Sequence, residues 1–187
     1  MQYNTQTSDV ELMKAVQSGN VDQLNFLYLR HEKRLFNFFL RLTKDTETSK
    51  ELVQEVFIRI LKYYDTFDGR SRFTTWMFRI AYNCFYDRKT KQNSRNEEEI
   101  DLDDLYTPAV QLDRLIRDEQ RQLLSEVLLR INERDRAILT MHTYLDMKYR
   151  EIAEIFHCTE STIKTRAFRA LKRLRKIYKI SLKKEWS

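Results

Sequence analysis

Lys164, Thr165, Phe168, Arg169 and Lys172 recur at helical spacing within YREIAEIFHCTESTIKTRAFRALKRLR, residues 149–175. Cations, a hydroxyl and one aromatic ring on a shared face can grip phosphate oxygens and touch base edges. The chemistry they suit is therefore recognition of a nucleic acid rather than the making of bonds. On the opposite side Ile163, Ala167, Ala170, Leu171 and Leu174 form an inward stripe. Thr159 is a good N-cap, which ends the preceding helix near His157 and Cys158 and leaves the short connection of a helix-turn-helix. That motif lays its second helix in the DNA major groove. From residue 160 to 184 there are ten Lys or Arg against one acid, Glu160. A basic helix that merely keeps a protein soluble would share the charge, but it would not need the capped turn, the small alanines or an outward Phe168.

A second concentration lies upstream. Residues 73–86 carry six aromatics, Phe73, Trp76, Phe78, Tyr82, Phe85 and Tyr86, and residues 70–91 hold six bases and one acid. At a period of 3.6, Trp76, Ile80 or Cys84 belongs to a core. Rings interleaved with guanidinium groups also suit unpaired nucleotides, since rings stack on bases while cations hold phosphates. In KELVQEVFIRILKYY, Leu52, Val53, Val56, Phe57, Ile60 and Leu61 form an inward seam. Glu51, Gln54, Glu55, Ile58 and Arg59 fall on the other side, and an exposed isoleucine among acids suggests a protein interface.

Other chemistries find little support. His31, His142 and His157 are scattered, and Cys84 and Cys158 lack Cys-x-x-Cys spacing, so neither a metal site nor a disulfide framework is expected. Both cysteines read as small buried hydrophobes. No carboxylate cluster and no nucleophile with its base stands out. No enzyme activity, cofactor or small-molecule substrate is expected.

The elements that must position these faces are helical. The 187 residues include two Gly and one Pro, with 42% hydrophobic and 33% charged residues, which is too few turn-formers for a β-rich fold. Ser8 with Glu11 starts a helix over 9–18 that Gly19 ends, and Asn20 with Gln23 repeats the capping signal ahead of a long helix to about residue 43. Asp45 and Thr46 open a third. Residues 96–106 hold six acids and no base, followed by Pro108, a flexible, solvated linker. Helical periodicity returns near 111, with Leu124, Leu128, Ile138 and Leu145 beneath the helix-turn-helix. The expectation is an all-α chain of two small helical domains, residues 1–90 and 111–187, joined by an acidic linker over 91–110. No apolar run approaches the roughly 20 residues that span a bilayer, and the N-terminus lacks a signal pattern, so a cytoplasmic protein without membrane insertion is expected. The net charge of +6 understates the basic ends, because the acids are gathered elsewhere.

The order of parts, LVQEVFIRIL, then SRFTTWMFRIAYN with a following DR, an acidic linker and a C-terminal YREIAEIF with STIKTRAFRALKRLR, resembles the extracytoplasmic-function sigma factors of the sigma-70 family. The resemblance spans about residues 8–178. It implies that Glu51, Gln54, Glu55 and Ile58 contact the clamp of bacterial core RNA polymerase. It implies that Arg72, Phe73, Trp76, Arg79, Tyr82, Asn83, Tyr86 and Arg88 serve the minus-10 promoter element, where a non-template base is flipped out as the duplex opens. Trp76 there suits a support beneath the loop better than a base wedge. It further implies minus-35 reading by Ser161, Thr162, Lys164, Thr165, Arg166, Phe168, Arg169, Lys172 and Arg173, with Arg166, Lys172 and Arg173 nearer the backbone. An anti-sigma protein is the other implied partner. The alternative is a dimeric helix-turn-helix regulator whose first half senses or dimerises; it would bind a palindrome unaided, whereas a sigma factor needs core polymerase and an asymmetric two-element site. A non-DNA adaptor would show neither preference.

Overall fold

The computed structural model of the chain describes residues 7–93 and 123–185. Its elements are helices, with no strand among the described residues. The Ser8 hydroxyl accepts from the Glu11 N–H at 3.3 Å while the Glu11 carboxylate accepts from the Ser8 N–H at 2.8 Å, and this box starts α1 (Asp9–Gln17). Gly19, at φ 97°, ends it: the N–H groups of Gly19 and Asn20 donate back to the Val16 and Ala15 carbonyls. That turn needs a left-handed residue, which glycine adopts without strain. The second expected capping box does not form. Asn20 leaves the turn at ψ 74°, short of the extended geometry of an N-cap, so a single 3-10 turn follows at Val21–Gln23 and α2 begins later (Leu24–Thr43).

Lys44, in the left-handed region at φ 56°, closes α2, and the Asp45 carboxylate accepts from the Thr48 N–H at 2.5 Å to open α3 (Thr46–Tyr63). A loop through Gly69 leads to α4 (Phe73–Asn93), which runs past residue 90. Leu27, Phe38 and Phe39 of α2, Val56 and Ile60 of α3, and Met77, Phe78 and Ala81 of α4 are buried together. Each such large side chain contributes about 2 kcal/mol by leaving water. Leu61, expected on the inward seam of α3, is 43% exposed, because it lies one helical step beyond the buried stripe that ends at Ile60.

The second helical unit comprises α5 (residues 123–129), α6 (Glu133–Thr143), α7 (Tyr149–Ile155) and α8 (Glu160–Glu185). Val127, Ile138, Met141, Ile152 and Ile163 fill its centre, and Ala167 and Ala170 let the backbone of α8 lie close to its neighbours. Leu128, Ile138 and Leu145 are buried as expected, with Leu124 packed at the edge. The two units touch: α4 lies against α7, and α2 against α6. The Arg41 guanidinium sits 3.8 Å over the Tyr144 ring, Arg34 donates to the Leu145 carbonyl, and Lys89 pairs with Glu133 at 3.4 Å. The acidic linker expected over 91–110 lies outside the described residues from residue 94, as does the helical periodicity expected from 111 to 122.

Candidate nucleic-acid interface

The turn between α7 and α8 is built from backbone as much as side chains. His157 takes a left-handed φ of 50°, and the N–H groups of His157 and Cys158 donate to the Glu154 and Ala153 carbonyls. Thr159 then accepts from the Thr162 N–H at 3.2 Å and starts α8. The four residues between α7 and α8 thus turn the chain and aim α8 outward. Ile163, Ala167 and Ala170 are buried beneath it, while Phe168 is 70% exposed. Lys164, Thr165, Arg169 and Lys172 share that outward side. Ser161, Thr162, Thr165, Arg166, Arg169 and Arg173 line one open concavity of about 540 Å³ toward α6. This surface is cationic, rich in hydroxyls, and one helix wide, the form that a major groove admits.

On α4 the expected residues divide. Asn83 and Tyr86 are exposed, and Tyr82 lies half-buried beside Tyr86, their rings 6.4 Å apart and stacked. Arg79 shares this stripe, one turn earlier. Burial, opposed by the charge of Arg134, raises the Tyr82 phenol, so it remains a neutral donor. Phe73 and Trp76 instead belong to the core, 2% and 7% exposed, with Phe67 at 5.9 and 5.4 Å from their rings. Neither presents a face to a base in this arrangement. They brace the loop that ends at Arg72.

Along α3, Glu51, Gln54 and Ile58 face solvent, Ile58 at 61% exposure, and the exposed Leu61 extends the stripe. Two of the acids are tied to α4. Arg88 donates to Glu51 at 2.6 Å, and Arg59 donates to both Glu55 and Asp87 at 2.7 Å. Burial works against the Arg59 charge, but these two carboxylates more than offset it and raise its affinity for the proton. Arg88, expected on DNA, is thus joined to a residue of the α3 face. Burial also pushes the Cys84 thiol up to about 12, against the pull of Arg59, which leaves it an inert core group. Cys158 is only partly buried. Among the described residues no group of His, Cys, Asp or Glu is placed to hold a metal ion, and no helix is long and apolar enough to cross a membrane.

Comparison with known proteins places both halves. Residues 27–95 match the family model for sigma-70 region 2, and residues 121–174 match that for sigma-70 region 4. The extracytoplasmic-function sigma factor SigX of Bacillus subtilis is 30% identical over 161 residues, covering 83% of each chain. This chain belongs to the extracytoplasmic-function sigma factors. The RNA polymerase sigma-H factor of Pseudomonas aeruginosa is 26% identical over 179 residues, 89% of this chain and 91% of that one. The sigma factor RpoE of Bartonella quintana, solved with the anti-sigma factor NepR, has the same fold at a TM-score of 0.66 and 23% identity, covering 82% of this chain and 94% of its own.

As a sigma factor the protein directs RNA polymerase to promoters for initiation, and the dimeric-regulator alternative is not favoured, since it leaves the region 2 match unexplained. The sigma factor's own second unit lies over the α4 stripe. Arg72 pairs with Glu151 at 3.3 Å, Arg79 donates to the Glu154 carbonyl at 3.3 Å, and the Tyr82 ring packs 4.5 Å from that of Phe156. The Nε of Arg79 is buried without a hydrogen bond among the described residues. Glu151, Glu154 and Phe156 were not legible as partners of α4, because contacts between distant segments carry no sequence periodicity. Asp87 could have been found from its place on the helix that faces Arg59.

Proposed function

We propose that this sigma factor uses three faces in turn, the first two joined by the Arg88–Glu51 ion pair. The α3 stripe of Glu51, Gln54, Glu55 and Ile58 docks on bacterial core RNA polymerase. The α4 stripe of Arg79, Tyr82, Asn83 and Tyr86, with Arg72 and Arg88 at its ends, takes the unpaired non-template strand of the minus-10 element, while Phe73 and Trp76 brace it from within. The α8 face reads the minus-35 element as duplex: Lys164, Thr165, Phe168 and Arg169 meet bases, and Ser161, Thr162, Arg166, Lys172 and Arg173 meet phosphates. In this reading residues 1–90 and 111–187 act as two domains with the acidic segment 91–110 between them.

The observation that carries the reading is the separation of two recognition faces on opposite halves of a chain whose family spans both, one aromatic and partly covered by α7, the other cationic and exposed. Since α7 covers part of the α4 stripe, the two units must part before a strand can lie along it. The polymerase performs the chemistry of transcription, and the sigma factor supplies no catalytic group. The work takes place in the cytoplasm, where polymerase and promoters are. An anti-sigma protein that holds the chain off polymerase fits the same faces, and the similar Bartonella quintana protein is bound by one.

The docking assignment is tested by titrating labelled protein with purified bacterial core polymerase. Ile58→Asp places a charge on the exposed centre of the α3 stripe and should weaken binding about tenfold, a loss typical of a central interface residue, with an unchanged melting temperature. Unaltered binding by that variant would remove α3 from the polymerase interface.

A further inference from the structure

Asp135 is a carboxylate set into a surface built for an anion. It lies in the first turn of α6, its side chain 7% exposed, in the concavity that also holds Thr162, Thr165, Arg166, Arg169 and Arg173. Its backbone N–H donates to the Asn132 side chain at 2.9 Å, and its Oδ2 accepts from the Asn132 Nδ2 at 2.8 Å, so the carboxylate is fixed by the N-cap of its own helix. Two guanidinium groups approach it. Arg166 Nη1 lies 3.7 Å from Oδ1 and Arg173 Nη1 lies 3.8 Å from Oδ2. Oδ1 is buried and accepts no hydrogen bond among the described residues.

These separations are too long for hydrogen bonds but well within Coulombic reach, and the local dielectric is low because the acid is buried. Residues seven apart stand two turns, about 10 Å, along a helix. A single carboxylate thus lies near two arginines two turns apart on one flank of α8, while their remaining N–H groups stay available; Arg166 and Arg173 are 41% and 65% exposed. Left alone, each long side chain would sample many rotamers and lose about 2 kcal/mol of freedom on binding. A fixed acid between them removes part of that freedom before DNA arrives. It also cancels positive charge, so it does not raise attraction to DNA of any sequence.

We infer that Asp135 is a positioning residue for promoter recognition: it gathers Arg166 and Arg173 onto one edge of α8, where both meet the sugar-phosphate backbone beside the minus-35 element and fix the register in which Thr165, Phe168 and Arg169 meet the bases. The inference rests on the minus-35 reading of α8. Its signature is a loss of discrimination without a loss of general affinity. A residue needed only for folding would lower both.

The test uses the full chain bound to bacterial core polymerase, a promoter fragment obtained by mapping transcript starts, and the same fragment with its minus-35 element scrambled. Asp135→Asn should lower the ratio of promoter to scrambled affinity about five- to tenfold, within the usual range of coupling between neighbouring charged residues, and leave scrambled-fragment affinity no weaker. In an Arg166→Ala/Arg173→Ala background the same change should add less than about twofold, since the groups it acts through are gone. Asp135→Glu keeps the charge and should retain most of the ratio. The inference is overturned if Asp135→Asn leaves the ratio unchanged, if it lowers both affinities together with the melting temperature, if its effect persists at full size in the arginine-free background, or if Asp135→Glu loses as much as Asp135→Asn. Should the double arginine variant and Arg169→Ala also leave the ratio untouched, the minus-35 reading of α8 fails as well; a drop with those variants alone confines the failure to Asp135.

Discussion

Asn83 and Trp76 lie two turns apart on α4, and burial divides their roles. Asn83 is exposed, whereas Trp76 packs against Phe67 and Phe73. Asn83→Ala and Tyr86→Ala should therefore reduce promoter opening, read by permanganate reactivity of unpaired thymines, without moving the melting temperature. Trp76→Ala should cost about 3–5 kcal/mol of stability, as removal of a large buried ring does, and lose opening only as a consequence. An opening defect in Trp76→Ala with undiminished stability would return that ring to the DNA face. Helical period offered Trp76 only as one core candidate beside Ile80 and Cys84, and it did not offer Phe73, whose burial depends on Phe67 across a loop. His157 shows a similar limit: a left-handed residue in the turn is usually announced by glycine, and here a histidine takes the conformation.

At the scale of elements, caps were the most readable signal, since they are local. Ser8, Gly19, Asp45 and Thr159 each act where the chain pattern put them. Asn20 does not, because the turn that ends α1 already commits its backbone. What no cap reveals is how α1 is held to α2: Asp9 accepts from Arg30 at 2.5 Å and pairs with His31 at 2.8 Å. Burial opposes the Asp9 charge, but the hydrogen bonds and charges of His31 and then Arg30 outweigh it and hold the carboxyl below its ordinary range. Its proton affinity is thus lower folded than unfolded, so its contribution is present above the unfolded value and is lost as pH falls through the lower, folded one. Denaturant unfolding should show the parent more stable than Asp9→Asn by about 1 kcal/mol near pH 6, a modest gap because the pair is partly solvated. The gap should close below about pH 4. A gap that widens in acid would mean the ion pair does not hold α1.

For the whole molecule, fold class and the order of regions 2 and 4 were legible from composition and motif sequence, whereas the packing of one half on the other was not. That packing sets a condition on function, since Glu151, Glu154 and Phe156 occupy the stripe that unpaired DNA would need. Donor and acceptor dyes at Lys62→Cys and Lys176→Cys, with Cys158→Ser to remove competing labelling, should show higher energy transfer in the free chain than in complex with core polymerase. Equal transfer in both would mean that the units stay together and that strand capture uses another surface. The central claim, that the chain programs polymerase for two-element promoters, is tested most directly by in vitro transcription with bacterial core polymerase, a genomic fragment library and mapping of transcript starts. Starts that depend on added protein and share two upstream elements at fixed spacing are the predicted result. No protein-dependent starts, with the chain alone still binding duplex DNA at palindromic sites, would contradict it.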